Sequence, residues 1–141
     1  MFDKNFENRL ALWREFRDSL EEAEDPIQTA IDFYNNAPLV SIQADPYSPD
    51  TWPDPWQLLQ ENVYCNFVKI LAICYSLQLT ERFADATFKI QVTRDRENSE
   101  TSYILLLDDI CIGYEFDRAI SCEELPSTMT VEMQQIMPSL R

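Results

Sequence analysis

The sequence predicts an α+β fold: N-terminal helices and a long central helix packed on a three-stranded antiparallel β-meander. Three observations predict it. Apolar residues recur at helical spacing through the first third of the chain, and the stretch around Phe67 to Tyr75 is apolar on most of a helix circumference. Beyond Phe83 the period shortens from helical to alternating, the mark of half-buried strands. At 141 residues and 45% hydrophobic content, the chain supports one core, so residues 1–141 are expected to form a single domain.

The first helix is read from Phe2, Phe6, Leu10, Trp13, Phe16 and Leu20, with Lys4, Arg9, Arg14, Glu15 and Asp18 on the remaining faces. The acidic run Glu21, Glu22, Glu24 and Asp25 opposes the helix macrodipole and should stop it. Asp25 followed by Pro26 supplies an N-cap and a first-turn proline for a second helix through Ile27, Ala30, Ile31 and Tyr34. Residues 38–55 hold Pro38, Pro46, Pro49, Pro53 and Pro55, too many for a regular element. They also hold Val40, Ile42, Tyr47 and Trp52, too apolar for a disordered linker, so an ordered loop pinned to the domain is expected. Asp54, Pro55 and Gln57 then repeat the cap logic as a capping box, opening a helix expected to run to about Leu79.

In the second half, Phe88, Ile90 and Val92 alternate with Lys89, Gln91 and Thr93 as a first strand. Residues 94–100 form a polar turn, 101–107 a second strand, and Asp108-Asp109 a tight turn. A third strand is expected where Ile110, Ile112, Tyr114 and Phe116 alternate with Cys111, Gly113 and Glu115. Met129, Met133 and Met137, flanked by Pro126 and Pro138, suggest a short C-terminal helix over 128–136.

The chemistry on offer is sparse. The chain has no histidine and one glycine, Gly113, which removes the usual neutral-pH base and the glycine-rich phosphate loops. No catalytic residue, cofactor-binding residue or metal ligand is assigned, and a non-enzyme is expected. Cys65, Cys74, Cys111 and Cys122 form no CxxC pair; on one helix the first two would stand about 13 Å apart, too far for a disulfide. Reduced, buried thiols are expected. Asp45, Asp50 and Asp54 could hold a cation through oxygen, but carboxylates beside proline are ordinary turn and cap groups, as are Asp108 and Asp109.

The net charge of −14 should repel nucleic acid and anionic membranes, which leaves proteins as the expected partners. Neither a basic, apolar leader nor a spanning segment is read; the apolar run at 67–79 is short and carries Lys69. The acids of 21–25 with Asp32 could imitate duplex phosphates, but Arg9, Arg14 and Arg17 interrupt that pattern. Tyr47, Trp52 and Trp56 are the candidate protein-interface residues, because exposed aromatics anchor interfaces. The competing reading folds Trp52 and Trp56 over the central helix as a staple. The unpaired edges of the meander are a second candidate docking device.

The segments Asp25-Pro26-Ile27-Gln28, Ala37-Pro38-Leu39-Val40-Ser41, Thr51-Trp52-Pro53-Asp54-Pro55-Trp56 and Cys74-Tyr75-Ser76-Leu77-Gln78-Leu79-Thr80 resemble a small protein family of contractile-tailed bacteriophages infecting cyanobacteria. The resemblance covers about residues 2–116, with the Trp-Pro-x-Pro-Trp motif and the Cys-Tyr-x-Leu-Gln-Leu-Thr run its most distinctive parts. It implies a viral protein and carries no catalytic residue with it. Together with the missing catalytic groups, it leads to the expectation of a virion structural or assembly protein of the neck or tail/baseplate region. Its partners would be other virion proteins in a symmetric array, and it would be assembled in the host cytoplasm. The alternative is an intracellular phage protein that binds a basic host factor, or acts as a DNA mimic.

Overall fold

The computed structural model describes residues 1–40 and 44–140; the part of the expected loop that carries Ile42 lies outside them. Among the described residues, four helices, α1 (Phe6–Glu22), α2 (Pro26–Tyr34), α3 (Pro55–Glu61) and α4 (Asn66–Gln78), precede the strands. These are β1 (Phe88–Asp95), β2 (Thr101–Leu107), β3 (Ile110–Ile112), β4 (Ile120–Ser121) and β5 (Met129–Ile136). They form an antiparallel sheet in the order β4-β3-β2-β1-β5. The class is α+β, as the change of period predicts.

Each of the first three helices begins on a side chain that accepts an otherwise orphaned N–H. Asn5 accepts from the Asn8 amide at 2.9 Å and Asp25 from that of Gln28 at 3.1 Å. Asp54 accepts from Gln57 N–H at 2.8 Å while the Gln57 side chain accepts from Asp54 N–H at 2.9 Å, so the expected capping box is complete, with Pro55 in the first turn.

The ends of α1 and α3 are closed by arginines. Arg82 donates to the carbonyls of Leu20, Glu21 and Ala23, while the Glu21 carboxylate accepts the backbone N–H groups of Glu81 and Arg82. The acidic end of α1 is thus stopped and neutralised by one residue of another segment. Arg9, expected on an outer face, is instead buried: it donates to the carbonyls of Lys4, Leu59 and Gln60, closing the end of α3. A guanidinium has enough donors to satisfy several such carbonyls at once.

The expected long central helix is two helices. Asn62 takes the left-handed conformation (φ 52°, ψ 40°) and ends α3, donating from Nδ2 to the Phe2 carbonyl at 2.8 Å. Tyr64 then makes a parallel bridge to Leu39, whose neighbour Val40 donates to the Tyr64 carbonyl at 2.8 Å. The break turns Tyr64 wholly inward against Phe2 and Tyr34.

Two strands beyond the expected three, β4 and β5, correct the meander, and the second of them replaces the expected helix. The sheet has five strands rather than three. Strand β3 ends at Ile112, short of Tyr114 and Phe116, because Gly113 adopts φ +109°. A Cβ there would stand 2.3 Å from the Tyr103 carbonyl oxygen and 2.8 Å from Ile70 Cδ1, so only glycine lets the chain turn so close to β2 and α4. Residues 129–136 form β5, not a helix, paired along β1 with a bulge opposite Val92 and Thr93.

Helix α4 is the hub. Phe88, Ile90, Leu105, Leu107 and Ile112 on the inner face of the sheet belong to the same apolar core as α4, α1 and α2. A smaller cluster of Ile104, Cys111 and Ile120 occupies the outer face. In the main core Ser76 donates to the Ala72 carbonyl at 2.8 Å, which leaves its oxygen to accept from Trp13 Nε1 and the Tyr34 hydroxyl, each at 2.9 Å. Three helices are joined at one fully buried hydroxyl, and burial pushes the Tyr34 phenol up to about 12.

Candidate functional site

The proline-rich loop is built around Asp45. Its carboxylate accepts the Tyr47 amide at 3.0 Å and the Ser48 hydroxyl at 2.9 Å, and its carbonyl accepts Trp52 Nε1 at 2.9 Å. A 3-10 turn over Pro49–Thr51 swings Trp52 back onto Phe67 of α4, with ring centroids 5.1 Å apart, and Tyr75 donates to the Pro53 carbonyl at 2.7 Å. The described part of the loop is therefore tethered to α4 at both Phe67 and Tyr75.

This architecture separates the three aromatic residues singled out from the sequence. Trp52 is half-buried and taken up in packing. Trp56, in the first turn of α3, is 51% exposed and lays its ring edge-to-face on the buried Trp13 at 5.5 Å. Neither indole is fully buried. Tyr47 is 47% exposed, and its hydroxyl donates to the Glu132 carboxylate of β5 at 3.0 Å, where Arg94 of β1 also lies at 3.4 Å. Of the three, Tyr47 alone is joined to the sheet, and through it to an edge strand.

That edge is long and nearly uncharged. Strand β5 pairs with β1 on one side and has no strand on the other among the described residues. Its sequence, Met129-Thr130-Val131-Glu132-Met133-Gln134-Gln135-Ile136, has Glu132 as its one ionisable residue, and that carboxylate is engaged with Arg94 and Tyr47. Val131 is 49% and Ile136 59% exposed. Proteins commonly protect such edges with lysine, proline or shortness; β5 has only the bulge.

The other groups considered from the sequence serve turns and packing. Asp54 caps α3, Asp50 sits in the 3-10 turn, and Asp45 organises the loop, so the three acids are spent separately. Asp108 takes φ 52° in the β2–β3 turn and accepts the Thr87 amide at 3.1 Å. Among the described residues, no group of three or more Asp, Glu or Cys is placed to hold a metal ion. Cys65, Cys74 and Cys111 are buried and Cys122 is half-buried, all four as free thiols. Burial raises the Cys74 and Cys122 thiols above their usual range and pushes Cys111 up to about 12, so these thiols hold their protons at neutral pH. In the acidic patch, Glu21 turns inward to the Glu81 and Arg82 amides and Asp25 caps α2. Among the described residues no helix is long and apolar enough to cross a membrane.

Sequence reasoning missed β5, Val131 and Ile136. The signal was present: Met129, Val131 and Met133 alternate with Thr130, Glu132 and Gln134, a period of two. No family model matches this chain, and no curated protein or solved structure matches it either.

Proposed function

We propose that the protein is a non-enzymatic virion structural or assembly protein of a contractile-tailed bacteriophage, in the neck or the tail/baseplate region, that works by protein contact. The viral setting rests on the resemblance of the Trp-Pro-x-Pro-Trp and neighbouring segments. The observation that carries the contact reading is the convergence of Tyr47 with β5 through the 3.0 Å bond to Glu132. It sets an exposed aromatic ring beside an open strand with two exposed aliphatic side chains. An extended segment of a second virion protein would gain backbone hydrogen bonds from the strand and apolar contact from Tyr47, Val131 and Ile136. Trp56, on the helical layer, is a separate anchor for a neighbouring subunit in a symmetric array.

The test is mass spectrometry of purified particles containing wild-type protein or the Val131→Lys, Ile136→Lys double variant. Both substitutions place charge at exposed positions, so the isolated fold should survive while incorporation is lost. Normal incorporation of the folded variant contradicts the assignment of β5.

A second reading, an intracellular protein that captures a basic host factor, is favoured by one feature. A cleft between the start of α2 and β3–β4 is lined by Asp25, Asp109 and Glu124 over a floor that includes Ile27 and Ile110, with no lysine or arginine in its lining. That geometry suits an arginine or lysine side chain, stem on the floor and charge among the acids. Absence of the chain from particles, combined with early expression and recovery on a basic host protein, would favour this reading over the first.

A further inference from the structure

A cleft of about 500 Å³ opens between α2, α4 and the β2–β3 end of the sheet, away from the β5 edge. Its walls combine apolar side chains, Ile31, Ile70, Ile73 and Ile112 among them, with polar ones that include Asn35, Asn66, Thr101 and Ser102. An adjoining cleft of about 270 Å³ shares Leu39, Asn66 and Tyr103 with it and extends the groove past the exposed Leu39 and Val40. Volumes of this size are those of small-molecule sites, in which an apolar surface holds the ligand and polar groups fix its orientation.

The polar group that distinguishes this cleft is Lys69, in the first turn of α4. The protein has 25 acidic residues against 11 basic ones, so a partner for a lysine is easily had. Among the described residues the Lys69 side chain nevertheless makes no ion pair or hydrogen bond, and it is half-buried. Burial draws its ammonium below the usual lysine range. Glu115, the other charged residue of the lining, is exposed to solvent at the rim. An unpartnered ammonium held partly out of water costs free energy that an anion in the cleft would recover.

We propose that this cleft binds an anionic amphipath, its carboxylate or phosphate head on Lys69 and its linear apolar body along Ile70, Tyr103 and Leu39 into the adjoining groove. The body accounts for the apolar side chains and the head for the solitary cation. This site is independent of the β5 docking surface, so either assignment can fail alone.

The test is calorimetric titration of the full chain with decanoate and, separately, with decanol, which has the same chain without the charge. The wild type should bind decanoate at least about tenfold more tightly than decanol, the gain given by one charge-assisted contact. Lys69→Arg should keep that preference. Lys69→Met should erase it while melting at the same temperature as the wild type or above, since the change removes an unpaired, half-buried charge. Equal affinity of the wild type for both compounds, no binding of decanoate, or a preference that survives in Lys69→Met would each overturn the proposal.

Discussion

The two edges of the sheet are built on opposite principles. At one edge β4 is two residues long, Ile120 is buried against Ile104 and Cys111, and the chain is locked behind it by a cap in which Ser121 Oγ accepts the Glu123 amide and the Glu124 carboxylate accepts the Ser121 amide. At the other, β5 extends over eight residues with Val131 and Ile136 half-exposed and no strand beyond it among the described residues. One edge is finished by the protein's own chain and the other is left available. Backbone pairing groups are costly to leave unmet only where water is excluded, so an open edge is tolerated in solution and becomes a template when a partner excludes that water.

The contrast predicts that substitutions near β4 damage the fold while those on β5 damage assembly. The largest effect is expected at Gly113, where β3 turns away toward β4. Gly113→Ala forces a Cβ against the Tyr103 carbonyl at a φ of +109° and should cost about 3 kcal/mol, read as a lowered midpoint in chemical denaturation. Ile120→Ala empties part of the outer-face cluster and should cost about 2 kcal/mol. A loss below about 0.5 kcal/mol at Ile120 would remove the distinction between the edges.

Alkaline pH should act on the same side. Cys111 of β3 pairs with Ile120 of β4, and burial moves its thiol from an ordinary 9.0 to about 12. The folded state then holds a proton that the unfolded chain releases, so this contribution is intact below pH about 9 and is lost as pH rises from there through 12. Stability measured over that window should fall, and Cys111→Ala should flatten the slope without abolishing it, because Cys74 and, from about pH 10, Tyr34 titrate with the same sign. An unchanged slope in the variant would place the thiol outside the folded cluster.

The smallest stability effects belong to the open edge. Tyr47→Phe removes the exposed bond to Glu132 and should change the unfolding free energy by less than about 0.5 kcal/mol. Its effect on incorporation should be larger than that, because the hydroxyl holds the ring beside the strand. If Tyr47→Phe unfolds the protein, the loop is part of the core and not of an interface.

What was legible in the sequence follows the same division. Asp25-Pro26 and Asp54-Pro55-Trp56-Gln57 specify helix starts locally, through side chains that can bond only to nearby backbone, and both appear as read. Strand β1 alternates over enough residues to be recognised alone, and the apolar run of β2 is marked off by the polar turns on either side of it. The end of α3 was hidden because Val63, Tyr64 and Cys65 continue the apolar run past Asn62, although asparagine in the left-handed conformation is a common helix terminator. The strand β5 was hidden by arithmetic: Met129 and Met133 are four residues apart, which is about one helical turn and also two strand repeats. The intervening Thr130 and Val131, whose β-branches favour strands, hold the deciding information. Strand β4, at two residues, has no period to read. Of the candidate interface, Tyr47 was legible as an aromatic in an ordered loop. Its meeting with Glu132, 85 residues away in sequence, depends on tertiary structure.

The central claim, that β5 is an edge awaiting a partner strand, is tested most directly by amide hydrogen exchange on the free protein and on the same protein in assembled particles. The account predicts that alternate amides of Met129–Ile136 exchange rapidly in the free protein and become protected on assembly, while those of Ile120 and Ser121 stay as they were. Protection of every β5 amide already in the free protein, or an unchanged pattern in the particle, would contradict it.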